Sequence, residues 1–316
     1  MADGVTDSIY DVIIIGGGPA GLNAAIVLGR SRRRVLICDS GKPRNIKAKF
    51  MHGYLSRDGI KPLEFLRLGT EELKQYDVEK RQMEISQVVP LEEGFELVNA
   101  EGEKLCSKKI LLATGITDNI PQLDGIDELY GSSVFHCPYC DGWEVRDKRL
   151  AVYARGKAAL AMSLSLKTWS NDVILCPDGL SRLTAKDRRT LEDHNIRIFT
   201  DKIARLEGRH GLLQRIVFQH DASVDRDVMF FSTGQKQKSN LAEKLGCRFN
   251  DKGFIPTNLR QQTNIKGVFA AGDITKDVKF VVVAAAEGAR AGVAINIELQ
   301  EEERLKVQQT PGVNIR

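Results

Sequence analysis

The sequence predicts an α/β protein of two three-layer (ββα) domains, the second inserted in the first. Three observations carry that prediction. A short β-branched strand near the N-terminus opens through glycines into a helix and then a second strand. A second strand–glycine–helix–strand unit begins near residue 150. Parallel strands need such a crossover helix, so each unit reads as a βαβ fold. Near residue 267 the chain resumes the character of its first part, so the outer domain draws on both ends. The length of 316 residues has room for two ordinary domains.

The elements follow in order. Asp11–Ile15 is the first strand, Gly16 to Gly21 the turn, Leu22–Gly29 the first helix and Val35–Cys38 the second strand. Arg30, Arg32, Arg33 and Arg34 close that helix, where cations are favoured by its dipole, and are read as solvated. In the second unit Leu150–Tyr153 is a strand, Gly156–Thr168 an amphipathic helix and Val173–Cys176 a strand. Each unit has a strand ending in Thr-Gly, Ile110–Gly115 in one and Met229–Gly234 in the other. Gly267–Asp273 and an alanine-rich helix, Val281–Leu299, complete the outer domain. The expected boundaries are 1–117 with 247–316 for the outer domain and 118–246 for the inserted one. Hinges are expected at Thr117–Asn119 and Gly246–Asp251, and the tail Gln308–Arg316 is expected to be mobile.

Composition removes several function classes. With 42% hydrophobic and 28% charged residues the chain is an ordinary globular one. Its 46 basic and 42 acidic residues are interspersed and net only +4, so phosphate neutralisation of a nucleic acid is not expected. No apolar run reaches the roughly 20 residues of a membrane helix, and Met1–Tyr10 is too polar for a signal peptide. A cytoplasmic location is expected, with neither membrane nor nucleic-acid partners.

Gly16, Gly18 and Gly21 form G-x-G-x-x-G, with Pro19 and Ala20 between. The first glycine permits a tight turn, the second lets backbone approach a pyrophosphate, and the third lets helix and strand pack closely. The acid expected about 20 residues on is Asp39, placed to take ribose hydroxyls. Ala113-Thr114-Gly115 and Gly272-Asp273 add to this site, although Asp273 alone could be a helix N-cap. Together they make a Rossmann-like dinucleotide site, read as binding FAD.

His136-Cys137-Pro138-Tyr139-Cys140-Asp141-Gly142-Trp143-Glu144 is the second informative stretch. A tetrahedral zinc would want two further ligands at similar spacing, and Cys38, Cys106, Cys176 and Cys247 are isolated. No metal site is therefore expected, and redox use of Cys137 and Cys140 is favoured. Asp141 can relay a proton or cap the following helix. His136 can act as a base or as a structural histidine.

The ordered set GGGPAG, ATG, CPYCDG and GVFAAGD resembles the low-molecular-weight thioredoxin reductase family across essentially the whole chain. That resemblance implies two Rossmann-like domains, bound FAD, a homodimer and a redox disulfide in the inserted domain. It assigns Cys140 as the flavin-proximal thiol, Cys137 as the thiol that attacks the substrate disulfide, and Asp141 as the acid. It also implies a domain rotation that shows the dithiol to flavin and substrate in turn.

The chain departs from this pattern at its second nucleotide site. There the family's glycine string reads Ala154-Arg155-Gly156-Lys157-Ala158-Ala159, and the next strand ends in Pro177-Asp178-Gly179 in place of a basic cluster. A Cβ at a turn wanting positive φ is costly, so a normal pyrophosphate turn is not expected. Asp178 would repel a 2′-phosphate, though it could accept an NADH ribose. Arg155 and Lys157 could meet the phosphates of a second dinucleotide, such as a second FAD, or stand solvated at a helix start.

On the flavin side the family's Arg-Gln pair is replaced by Lys279-Phe280-Val281. Ser40, Lys42, Arg44 and Asn45 follow Asp39, and His52 follows in Met51-His52-Gly53. With Phe280 and Val281 these are expected around the cofactor. The pattern is similar to a divergent branch containing dithiol oxidases and reductases that work without pyridine nucleotides. The expected function is an FAD-dependent dithiol/disulfide oxidoreductase acting on a thioredoxin-like protein or a small-molecule disulfide or dithiol. Its electrons would come from ferredoxin, a second flavin or substrate rather than NADPH. The alternatives are a conventional NAD(P)H-dependent reductase and a non-catalytic flavin redox sensor.

Overall fold

The computed structural model describes residues 9–220, 222–275 and 278–309. The expectations for the N-terminal stretch before Ile9 and the tail beyond Gln309 lie outside the described residues.

The chain opens with β1 (Tyr10–Ile15), α1 (Pro19–Arg30), β2 (Val35–Asp39), α2 (Pro62–Glu72), β3 (Val78–Gln82), β4 (Ile85–Leu91), β5 (Gly94–Asn99) and β6 (Lys104–Leu112). Strands β3-β2-β1-β6 are parallel, and β5 and β4 continue the sheet antiparallel. Beyond Asp11, strand β1 runs unbroken through apolar Val12–Ile15 because both of its faces are covered. Ile13 and Ile15 pack with the β4–β5 layer, while Val12 and Ile14 pack against α1.

The chain then crosses through β7 (Ile116–Asp118) into the inserted unit. Its elements are α3 (Ile126–Leu129), β8 (Val134–Phe135), α4 (Pro138–Asp141), β9 (Leu150–Ala154), α5 (Gly156–Leu166), β10 (Val173–Leu175), α6 (Ala185–Asp193) and β11 (Arg197–Ile198). They are followed by β12 (Ile203–Arg209), β13 (Leu212–Phe218), β14 (Ser223–Asp225) and β15 (Val228–Ser232). A parallel sheet, β11-β10-β9-β15-β8, packs one face on the antiparallel sheet β12-β13-β14 through Ala151, Ile216 and Met229. Its other face packs on α5 and α6 through Val152, Ala159 and Leu191. This is the expected three-layer arrangement.

The return crossing is β16 (Gln235–Gln237), which pairs antiparallel with β7, Lys236 opposite Thr117. It comes earlier than the expected Gly246–Asp251. The chain reaches α7 (Leu241–Lys244) already within the first unit, where Leu241, Ala242, Leu245 and Cys247 are buried beside Ile13 and Phe95. Strand β17 (Val268–Ala270) then joins β6 in parallel, and α8 (Val281–Gln309) covers α1. A Cβ on Gly288 would lie 2.0 Å from the Ala20 carbonyl oxygen, so only glycine allows this helix–helix approach. Helix α8 runs through Gln308 and Gln309, which were expected in a mobile tail.

The basic run after α1 is not simply solvated. Arg33 Nε donates to Asn296 Oδ1 at 2.7 Å, its guanidinium pairs with Glu303, and Arg34 stacks over Tyr10. These contacts tie the end of α1 to α8 and β1. Long cationic stems that bury their methylenes contribute packing as well as charge.

Candidate active site

One cavity of about 1280 Å³ runs along the carboxyl ends of β1, β2 and β6 and into the inserted unit. In open parallel sheets ligands bind at that end of the strands. Gly16, Gly18, Pro19, Ala20, Asp39, Ser40, Lys42, Arg44, Asn45, His52, Ala113, Thr114, Gly115, Gly272, Asp273, Phe280 and Val281 all line it. So do His136, Cys137, Cys140 and Asp141. Gly21 stands behind the lining, where its missing Cβ matters most: placed there, it would fall 2.0 Å from the Gly16 carbonyl oxygen.

The cradle has the physical features of an anion site. Gly16 takes φ +113°, and a Cβ on it would lie 2.2 Å from the Ala113 carbonyl oxygen. Gly18 is the N-cap of α1 and supplies no side-chain cap, and a Cβ on it would meet only open space. The first N–H groups of the helix are therefore presented to the cavity with the positive end of its dipole. A pyrophosphate fits there, and Asp39 at the end of β2 is placed for ribose hydroxyls.

Arg44 organises the centre of the cavity. Its Nε and Nη2 donate to Asp118 Oδ2 and Oδ1, both at 2.8 Å, and its Nη1 donates to Asp273 Oδ2 at 2.9 Å. Bidentate pairing of this kind fixes geometry as well as charge. Asp118 stands on β7, so Arg44 clamps the crossing strand to the first unit. Gln235 on β16 donates to Asp118 Oδ1 at 2.9 Å and draws the return crossing into the same network. Burial works to raise the Asp118 carboxyl, yet Arg44, His136 and Gln235 hold it below the usual carboxylate range.

His136 stands at 3.7 Å from Asp118 Oδ2 through Nε2, and its Nδ1 is 3.3 Å from the Tyr130 hydroxyl. Burial pushes its imidazole below the ordinary histidine range, and Asp118 offsets only part of that. The ring is thus neutral at pH 7. Asp273 is held in turn by its own loop. Lys279 Nζ donates to the Asp273 and Thr275 carbonyl oxygens at 2.8 and 2.6 Å, and Gly272 N–H donates to Glu287 Oε2 at 2.7 Å.

Cys137 and Cys140 form a disulfide across the first turn of α4, with Cys137 at the N-cap and Asp141 closing the turn. Gly142 lets the following chain pass under Trp169, since a Cβ there would lie 2.7 Å from its ring. Burial raises the Asp141 carboxyl to about 7, the Glu144 carboxylate adds to the rise, and His52 opposes it. Such a group gives up or takes a proton near neutral pH. Cys38 and Cys176 are different: burial pushes both thiols up to about 12, which leaves them inert.

The raised Asp141 makes a prediction for stability. Its folded-state value exceeds the unfolded one near 3.9, so ionisation disfavours the fold as pH rises from about 4 to 7. Asp141→Asn is therefore expected to raise the urea midpoint at pH 8 and leave it unchanged at pH 4. Equal midpoints at both pH values would show that Asp141 is not strained by burial.

The second nucleotide segment does not line the cavity. Three glycines separate β1 from α1, but Arg155 alone separates β9 from α5. Ala154 ends β9 in strand conformation, so the expected strain of its Cβ is avoided by moving the positive φ to Gly156, at +58°. Arg155 bonds to the Pro177–Asp178 loop. Its Nε donates to the Pro177 carbonyl at 2.8 Å and its Nη2 to the Asp178 carbonyl at 2.7 Å. Asp178 is engaged too: Tyr153 Oη and the Ile203 N–H donate to its carboxylate at 3.1 and 2.9 Å. The Gly156 N–H donates to the Ser181 carbonyl at 2.7 Å. Lys157 is exposed at the start of α5.

Asp118, Tyr130, Lys238 and Glu287 escaped sequence reasoning. Tyr130 and Lys238 line the cavity, and Lys238 Nζ donates to the Lys42 carbonyl. No motif marks any of them. The nearest signal for Asp118 was its place in an expected hinge.

A profile of the pyridine nucleotide-disulphide oxidoreductase family matches residues 10–288. The thioredoxin reductase tcpT of Claviceps purpurea is 30% identical, over 93% of this chain and 95% of its own. The thioredoxin reductase of Bacillus subtilis is 27% identical, over 95% of this chain and 98% of its own. Among solved structures, that of HlmI superposes with a TM-score of 0.93 at 34% identity, covering 97% of this chain and 98% of the other.

Proposed function

Since this chain belongs to the pyridine nucleotide-disulphide oxidoreductase family and is thioredoxin reductase-like, we propose that it passes electrons between FAD, the Cys137–Cys140 pair and an external dithiol or disulfide, without NADPH. One observation carries this reading. The dithiol, Asp141 and the glycine-lined cradle share one cavity, whereas the second nucleotide segment is engaged with its own residues.

Bound FAD would supply a two-electron acceptor and donor. Gly16, Gly18 and the α1 N-terminus would hold its pyrophosphate, Asp39 its ribose, and Arg44, Asp273, Phe280 and Val281 the remainder. Among the protein groups, the Cys137 thiolate attacks one sulfur of the partner disulfide, forming a mixed disulfide and expelling the other partner sulfur. Cys140 then attacks Cys137 Sγ, the Cys137–Cys140 bond forms, and the partner leaves as a dithiol. Asp141, adjacent to Cys140 in sequence, takes the thiol proton in this direction. In the reverse direction a partner dithiol is the electron source. One partner thiolate attacks Cys137 Sγ, and Asp141 protonates the Cys140 thiolate that leaves. The second partner thiol displaces Cys137, and the partner leaves as a disulfide. The electron pair would then pass to FAD and from it to oxygen.

The named relatives support a thioredoxin-type disulfide partner, and a small-molecule dithiol would use the same exchange. Arg155 and Asp178 satisfying each other argues for one flavin per chain. Cys38, Cys106, Cys176 and Cys247 stand as free thiols, which fits the reducing cytoplasm. No described helix is long and apolar enough to cross a membrane. The homodimer rests on the family resemblance.

Equilibrium dialysis against NADPH and NADH tests the donor side. Neither is expected to saturate the protein below about 1 mM, a binding energy of only about 4 kcal/mol. Saturable binding of either at micromolar concentration would overturn the nucleotide-independent reading.

A further inference from the structure

His52 lines the cavity, yet the scheme above gives it no role. It stands in the first unit on a closed loop. Met51 N–H donates to the Ile60 carbonyl and Gly59 N–H to the Met51 carbonyl, each at 2.9 Å. Gly53 N–H donates to Asp58 Oδ1 at 2.8 Å and fixes the Asp58 side chain beside the ring. From this platform the imidazole faces two carboxylates. Nδ1 lies 3.4 Å from Asp58 Oδ2, and Nε2 lies 3.5 Å from Glu144 Oε1. Glu144 belongs to the inserted unit, just past Asp141. The ring thus bridges the two units at the end of the dithiol motif.

Among the described residues, Glu144 and His52 bear on the Asp141 carboxyl, and the Asp141 charge is felt in turn by the Tyr130 phenol. Glu144 comes from the stretch that follows α4, Tyr130 from the end of α3, and His52 from the opposite unit. Of these, only His52 can carry positive charge. A cation there attracts the Asp141 carboxylate and compensates Glu144, so it favours the ionised form. Without it, Asp141 would share a half-buried site with a like charge alone, and its proton would be held more tightly.

We propose that His52 is a positioning residue which, from across the two units, sets the protonation of Asp141 and with it the pH range in which Cys137–Cys140 exchanges electrons. The proposal rests on the dithiol route above. It makes the orientation of the two units part of the chemistry, because the charge that tunes the acid and the acid itself lie on different units.

The test compares His52→Gln and His52→Lys with the parent flavoprotein. Anaerobic dithiothreitol is the reductant, and the rate of flavin bleaching is followed between about pH 5.5 and 9. In H52Q the limb belonging to Asp141 is expected to move up by about one pH unit, and in H52K to return toward the parent position. In the Asp141→Asn background, H52Q is expected to move nothing. A purely structural role would lower the rate equally at all pH values and leave the limb in place. An unmoved limb in H52Q, or an equal shift in H52K, overturns the proposal.

Failure of the underlying route looks different, since the parent protein itself would then not bleach. In that case iodoacetamide alkylation of the reduced dithiol over the same pH range decides the role of His52. The thiol beside Asp141 reports its charge without any flavin reaction, and the same shifts are expected.

Discussion

Cys140→Ser is expected to slow the bleaching of bound flavin by dithiothreitol at least about a thousandfold, while flavin content is unchanged. Replacing a nucleophile that acts as one unit with its neighbours removes nearly the whole chemical contribution of that unit. The serine hydroxyl is far less acidic than a thiol and forms no disulfide with Cys137, so the exchange sequence has no second step. Cys137→Ser is expected to match it with external disulfides as substrates. The measurement is anaerobic rapid mixing with the flavin band as signal. Bleaching of Cys140→Ser within tenfold of the parent rate would mean that electrons reach the flavin by a route that avoids the dithiol.

Arg44→Met has the largest expected effect on stability. It leaves Asp118 and Asp273 facing the cavity with their shared cation removed, and Asp118 has only 5% of its side chain exposed. Breaking one side of a buried ion pair costs about 3–5 kcal/mol, because the remaining charge is neither solvated nor paired. Arg44→Lys is expected to recover part of this only, since an ammonium cannot reproduce the two parallel bonds to Asp118.

The sign of the pH dependence is fixed as well. The Asp118 carboxyl is held low, so its stabilisation is present above an unfolded value near 3.9 and is lost as pH falls through its folded value. The difference between parent and Arg44→Met should therefore be large at pH 7 and shrink in acid. Urea unfolding at the two pH values measures it, and Arg44→Met combined with Asp118→Asn should lie closer to the parent than Arg44→Met alone. A loss under 1 kcal/mol at pH 7 would show the network to be solvated rather than buried.

The parts of the site that were legible in the sequence are those made within one short segment. Gly16 to Gly21 with Asp39 describes a strand, a turn and a helix start whose geometry is local, and Cys137 to Asp141 is a single helical turn. Asp118, Tyr130 and the His52–Glu144 contact were not legible, because each depends on two segments that only folding brings together. The return boundary was misplaced for a similar reason. Leu241, Ala242 and Leu245 are apolar residues that either core could bury, and the pairing of Gln235–Gln237 with Ile116–Asp118 delivers them to the first. Arg33 looked solvated since its partners, Asn296 and Glu303, lie on the far end of the chain. At the second segment, Ala154-Arg155-Gly156 can be read off the residues directly. That Arg155 folds back onto the Asp178 loop needed the structure.

The central claim is that electrons reach the flavin through Cys137–Cys140 and not from a nicotinamide. Anaerobic titration of the purified flavoprotein with dithiothreitol, NADPH and NADH in turn tests it most directly, with flavin absorbance as the readout. Full bleaching by the dithiol, with neither nicotinamide bleaching the flavin on the same timescale, is the predicted result. Rapid stoichiometric bleaching by NADPH or NADH would contradict it.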